Sequence, residues 1–142
     1  MKSGHSLEEF SEVKHGGLLM TAVLDGIDTQ ACVPGAERLI GYGNTKHGYG
    51  PACFIDIVKT DYVMEPHVTW FSWVRPQDMI INFRWAMNKM AETHHVLLNV
   101  EKKQAKFFEH FVKKGFMRKV GVIEDLPLVE EIHMYQIKRR QV

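Results

Sequence analysis

The sequence predicts an α/β protein with a mixed, twisted central sheet of about six strands and helices on both faces. Three observations lead there. Residues 95–100 (HVLLNV) form a short apolar run, and the charged amphipathic stretch 102–116 (KKQAKFFEHFVKKGF) follows and stops at Gly115. Residues 67–74 (HVTWFSWV) place large apolar groups on both alternating faces, as a strand covered on both sides requires. Helical stretches also separate the third, fourth and fifth predicted strands, which calls for crossover connections and parallel pairing there.

The totals fit one soluble domain. The chain has 142 residues, 45% hydrophobic and 25% charged, enough to bury a core without metals or disulfides. Eighteen Lys+Arg against 17 Asp+Glu give a net charge of +1, which argues against a protein that wraps nucleic acid or coats an anionic membrane. Cys32 and Cys53 have no metal-type spacing and read as reduced, structural thiols. The N-terminus lacks a secretory h-region, and no stretch approaches the roughly 20 apolar residues of a membrane span, so the expected compartment is the cytosol.

Taken in order, Ser6 with Glu8 and Glu9 looks like a helix start, and Leu7, Phe10 and Val13 follow at helical spacing. Gly16-Gly17 breaks it, and residues 18–24 read as a second helix ending near Asp25-Gly26. Residues 37–42 (ERLIGY) read as a strand. The glycine-rich GYGNTKHGYG lacks the order of a phosphate loop and reads as a hairpin loop. Residues 52–59 (ACFIDIVK) form a second strand, with Asp56 either a buried acid or turned to solvent by alternation. Met64-Glu65-Pro66 reads as a break before the third strand, 67–74.

Arg75-Pro76-Gln77-Asp78 turns into a helix that runs to about Glu92, with Met79, Phe83, Ala86 and Met90 on its core face. His94 and His95 open the fourth strand and point to opposite faces, which argues against a shared zinc. In the next helix Phe107, Phe108, Phe111 and Val112 form the apolar stripe. Lys113 and Lys114 face the negative end of its dipole, and Gly115 suits a C-cap. Residues 116–123 are a strand, 124–130 a loop bent by Pro127, and 131–138 the last strand, before a basic tail from Arg139.

This order, and NVEKKQAKFFEHFVKKGF above all, resembles the GCN5-related N-acetyltransferase (GNAT) family, and more distantly the acetyltransferase-like proteins of tailed bacteriophages. The resemblance covers about residues 37–138, and no first strand of the family is evident before the N-terminal helices. It implies acetyl-CoA as cofactor and an amine as acceptor. Phe71, Ser72, Trp73 and Val74 would pair with the pantetheine arm. Arg75, Gln77, Asp78, Met79 and Ile80 would form the pyrophosphate turn, where helix N-terminal amides meet an anion. Asn99, Gln104 and Phe111 fall at further cofactor positions. Glu65 and His67, on the central strand, are the candidate bases for the incoming amine.

The sequence departs from the family at two working parts. The turn has no glycine, Pro76 removes an amide donor, and Asp78 would repel phosphate if it pointed inward, leaving Arg75 as compensation. Phe111 stands where the family places a tyrosine that reprotonates the leaving thiolate. Two readings therefore stand side by side: an N-acetyltransferase, or an inactive GNAT-fold module for binding or assembly, of the phage structural kind included. Nucleic-acid binding through the lysines at 102–114 and the tail is a weaker third. The acceptor and the oligomeric state, a homodimer among the options, stay open.

Overall fold

The computed structural model describes residues 4–30, 34–124 and 131–139. Cys32, most of the Pro127 loop and the tail from Arg140 lie outside them. The residues group into two compact units, Met1–Val58 with Pro66–Ala86, and Lys59–Glu65 with Met87–Val142.

The first unit opens with a strand where the sequence predicts a helix. β1 (Ser6–Glu9) pairs antiparallel with β2 (Glu37–Thr45), Ser6 opposite Tyr42 and Glu9 opposite Leu39. The Phe10 amide continues the pairing onto the Arg38 carbonyl, and the Phe10 ring meets Phe54 edge-on. The spacing of Leu7, Phe10 and Val13 is thus coincidental, because an available sheet edge outweighs weak helical propensity. This strand is also the one that no sequence signal revealed.

α1 (Glu12–Leu24) then runs as one element with a kink at His15, where φ is −110° and ψ is 15°. β2 and β3 (Gly48–Lys59) form an antiparallel hairpin. Its turn is only Lys46-His47, so most of the glycine-rich segment is strand, and Gly48 takes φ +90°. Ala22, Ile40, Ala52, Phe54, Phe71 and Val74 form the core of this unit, with Phe10, Leu18, Leu19 and Trp73 packed against it. Asp56 does not face solvent. It is buried, and Arg38 Nε and Nη2 donate to its two oxygens at 2.7 and 2.9 Å.

β4 (Val63–Trp70) begins four residues earlier than predicted and ends four earlier. Met64, Glu65 and Pro66 lie within it instead of breaking it, and residues 71–75 are turn. α2 (Pro76–Ala91) follows.

In the second unit, β4 and β5 (His95–Glu101) pair in parallel at Val63↔His95 and Met64↔Val96, as the crossover argument requires. A short 3-10 turn (Lys102–Gln104) leads into α3 (Ala105–Lys113). At its end Gly115 takes φ +76°, and the Phe116 amide folds back onto the Phe111 carbonyl at 3.0 Å. β6 (Met117–Glu124) and β7 (Glu131–Ile137) complete the unit.

The expected parallel pairing of β5 with β6 does not occur. β7 lies between them, antiparallel to both. A returning hairpin strand fills the place beside β5, so the α3 crossover skips one position. The β6–β7 ladder carries a bulge between Lys119 and Gly121. Among the described residues the strand order is β1-β2-β3-β4-β5-β7-β6, seven strands where about six were expected. No described helix is long and apolar enough to cross a membrane.

Candidate functional site

The segment predicted to form the cofactor turn lies within the first unit. Phe71 is fully buried and stacks on Trp73 with centroids 4.8 Å apart, and Val74 is buried beside them. The backbone polar groups here are largely engaged. Phe71 N–H donates to Ala52 O, Val74 N–H to Phe71 O, and Trp73 O accepts from Lys46 N–H. The Trp73 indole donates to the Pro51 carbonyl at 2.8 Å, and the exposed Ser72 hydroxyl donates to Asp25. An arm pairing with this segment would therefore have to use the remaining groups of a turn, since the extended strand ends at Trp70.

At the start of α2, Asp78 is buried, with its Oδ2 accepting from Arg75 Nε at 2.8 Å. The Asp78 and Met79 amides both donate to the Arg75 carbonyl at 2.9 Å. The carboxylate is thus turned onto Arg75 and neutralised there, instead of facing an incoming phosphate. Arg75 is half-exposed and uses one of its five N–H groups on Asp78, so its fork is held in place with donors to spare. Gln77 is exposed, and Met79 and Ile80 are half-buried. The spare Arg75 donors and the dipole fit an anion at this turn, although the Asp78 and Met79 amides are already engaged, Pro76 offers none, and close backbone approach of the kind glycines allow is absent.

The second unit holds the other half of the predicted set. Glu65 follows directly on the last described β4–β5 pair, and the Asn99 amide of β5 donates to its carboxylate. The structure thus joins a predicted base to a residue expected to touch cofactor. His67, the other candidate base, belongs to the first unit and is half-buried. Gln104 is exposed at the start of α3 and makes no side-chain cap bond. Phe111 is 1% exposed, its ring 5.2 Å from Phe107 and 5.6 Å from Phe116, so it is a core residue with no proton to give.

Sequence reasoning missed two polar residues. Asn82 of α2 is buried, with Nδ2 donating to the Asn44 carbonyl at 3.2 Å and Oδ1 pressed onto Gly43. A glycine inside a strand was the available signal. Tyr135 of β7 is fully buried and donates to Glu109 Oε1 at 2.9 Å, which Lys119 also approaches at 3.3 Å. The Tyr135 hydroxyl holds the Glu109 carboxyl below its usual range, and burial, with Glu109 adding to it, pushes the phenol well up.

No protein-family model and no curated protein sequence matches the chain. Solved structures do. A mutant of the spermidine N-acetyltransferase SpeG from Vibrio cholerae matches over 96% of this chain and 94% of its own, at 8% identity and TM-score 0.65. The same enzyme in complex with CoA and spermine matches over 96% of each chain, at 7% identity and TM-score 0.64. Its dodecameric form in an intermediate state gives 8% identity and TM-score 0.64 over 96% and 94%. At such identities the likeness speaks for architecture, and it spans nearly the full chain. The chain has the fold of the GCN5-related N-acetyltransferases.

Proposed function

We propose that the chain is a single GNAT-like domain over residues 1–142 that uses acetyl-CoA in the cytosol to acetylate a small-molecule or peptide amine. The observation that carries this reading is the near full-length likeness to a structure that holds CoA and a polyamine. Bound acetyl-CoA would supply the activated acetyl group. Arg75, aligned by Asp78, would hold its phosphates together with the N-terminus of α2. Glu65, with its carboxylate oriented by Asn99, would take the proton from the incoming ammonium, directly or through water. His67 is the second candidate for that proton. Phe111 gives none, so protonation at the leaving sulfur would rely on water.

Calorimetric titration with acetyl-CoA tests the reading, followed by an acetylation assay on diamines, polyamines and lysine peptides. Binding is expected, with Arg75→Ala weakening it about 10-fold or more through loss of a charge-assisted contact. Glu65→Gln should lower kcat with binding retained. No heat and no thermal shift at millimolar acetyl-CoA would end the proposal and leave an inactive binding module.

A further inference from the structure

The tip of the β2–β3 hairpin, Lys46-His47, is exposed and yet firmly seated within the first unit. The Lys46 amide donates to the Trp73 carbonyl at 3.0 Å, two residues before Arg75. Trp73 adds a second tie through its indole, which donates to the Pro51 carbonyl of β3 at 2.8 Å. Within the tip, the buried Thr45 hydroxyl donates to the Gly48 carbonyl at 2.9 Å and accepts from the His47 amide at 3.0 Å. Behind it, Asn82 of α2 donates to the Asn44 carbonyl at 3.2 Å. The glycine-rich segment that lacks the order of a phosphate loop is thus fastened both to the predicted cofactor turn and to the helix that follows it. All of these bonds are made by backbone groups and by other side chains, and none of them uses the Lys46 ammonium.

The predicted turn itself is short of donors. Pro76 has no N–H, and the Asp78 and Met79 amides are spent on the Arg75 carbonyl. CoA carries a pyrophosphate and a 3′-phosphate, more negative charge than one guanidinium balances. We propose that Lys46 is a further cofactor-binding residue, its ammonium meeting the pyrophosphate of acetyl-CoA together with Arg75. This rests on the acetyl-CoA reading above. A lysine acts on phosphate as a point charge on a flexible stem, so the fold has only to fix where the stem begins, and the bond to Trp73 does so. The tip is ordered by its own bonds, so binding spends little on ordering a loop. The pyrophosphate is the group assigned because the anchor, Trp73, lies in the same turn as Arg75. Two carboxylates adjoin that turn: Asp78 is held by Arg75, and Asp25 accepts from the Ser72 hydroxyl. Lys46 therefore adds a positive charge where the Arg75 guanidinium is already partly offset by Asp78.

Calorimetric titration of the full chain with acetyl-CoA at low salt tests it. Lys46→Ala should raise Kd about 3- to 10-fold, and the loss should shrink as salt is added. Lys46→Arg keeps the charge and should restore most of the affinity. Lys46→Ala retains the amide that bonds Trp73, and unchanged melting confirms that the variant folds. Dephospho-CoA, which lacks the 3′-phosphate, should show the same loss. Lys113→Ala removes an equal charge from α3 and should leave Kd unchanged. If wild type binds and Arg75→Ala weakens binding while Lys46→Ala does not, this inference falls and the acetyl-CoA reading stands. If wild type binds nothing, both fall. A Lys46→Ala loss that vanishes with dephospho-CoA overturns the pyrophosphate assignment, and an equal loss from Lys113→Ala overturns a specific role for Lys46.

Discussion

Replacing Gly43 by alanine should be among the most costly single-methyl changes in the protein. Its added Cβ would lie 1.7 Å from Asn82 Oδ1 and 2.6 Å from Asn82 Cγ, far inside van der Waals contact. Asn82 is 6% exposed and has no room to swing freely. Its amide also supplies the hydrogen bond to the Asn44 carbonyl. The Oδ1 atom, like His5 Nε2 beside it, is buried without a well-formed hydrogen bond. Overpacking costs about 1–3 kcal/mol and a forfeited buried hydrogen bond about 1–3 more, giving on the order of 2–6 kcal/mol for Gly43→Ala. Urea unfolding of both single variants and of the double variant with Asn82→Ala gives the coupling. With Asn82 truncated, the added methyl should cost less than about 1 kcal/mol. An equal loss in both backgrounds would refute the argument that the amide is what excludes a side chain at position 43.

Arg38→Ala should destabilise by about 3–5 kcal/mol in urea melts, because it strips the cation from the buried Asp56 carboxylate, and Arg38→Met combined with Asp56→Leu should recover most of it. Burial pushes the Cys53 thiol up to about 12, against a weaker opposing pull from the Gly41 backbone. Peptide mapping after iodoacetamide at pH 8 should therefore find Cys53 unmodified until urea unfolds the chain. Glu109 has a folded pKa below its unfolded value, so its contribution is full above the unfolded value and fades as pH falls through the folded one. The stability gap between wild type and Tyr135→Phe should accordingly narrow on going from pH 7 to pH 3, and a constant gap would show that the bond to Glu109 is immaterial.

Long periodic stretches were legible before any coordinates. The α2 and α3 helices, the Gly115 stop and the parallel β4–β5 pair all follow from apolar spacing and connection length. β1 was not legible, since four residues at a sheet edge are set by the partner strand and not by their own pattern. Pro66 misled for a related reason: a proline inside a strand reads as punctuation when its neighbours are unknown. At the candidate site, the residue types at Arg75 and Asp78 were visible, but the sequence left open which way the acid points. Its pairing with Arg75 answers that question, since the carboxylate is turned onto the guanidinium. Glu65 and Asn99 were each singled out, yet their meeting depends on register between strands, which no local signal encodes.

The bulge in β6 has a consequence for how the protein behaves when concentrated. Residues paired across a ladder share a side of the sheet, and Lys119 pairs with Tyr135 while Ile123 pairs with Ile132. Tyr135 and Ile132 are three apart, so Lys119 and Ile123 point opposite ways although an unbroken strand would align them. A stray strand docking along this rim could match one half or the other, never both. The rim exposes Val120, Val122 and Ile123 and still lacks a continuous template for fibril-like stacking. Deleting Val120 would realign the two halves, and with them the hazard of aggregation.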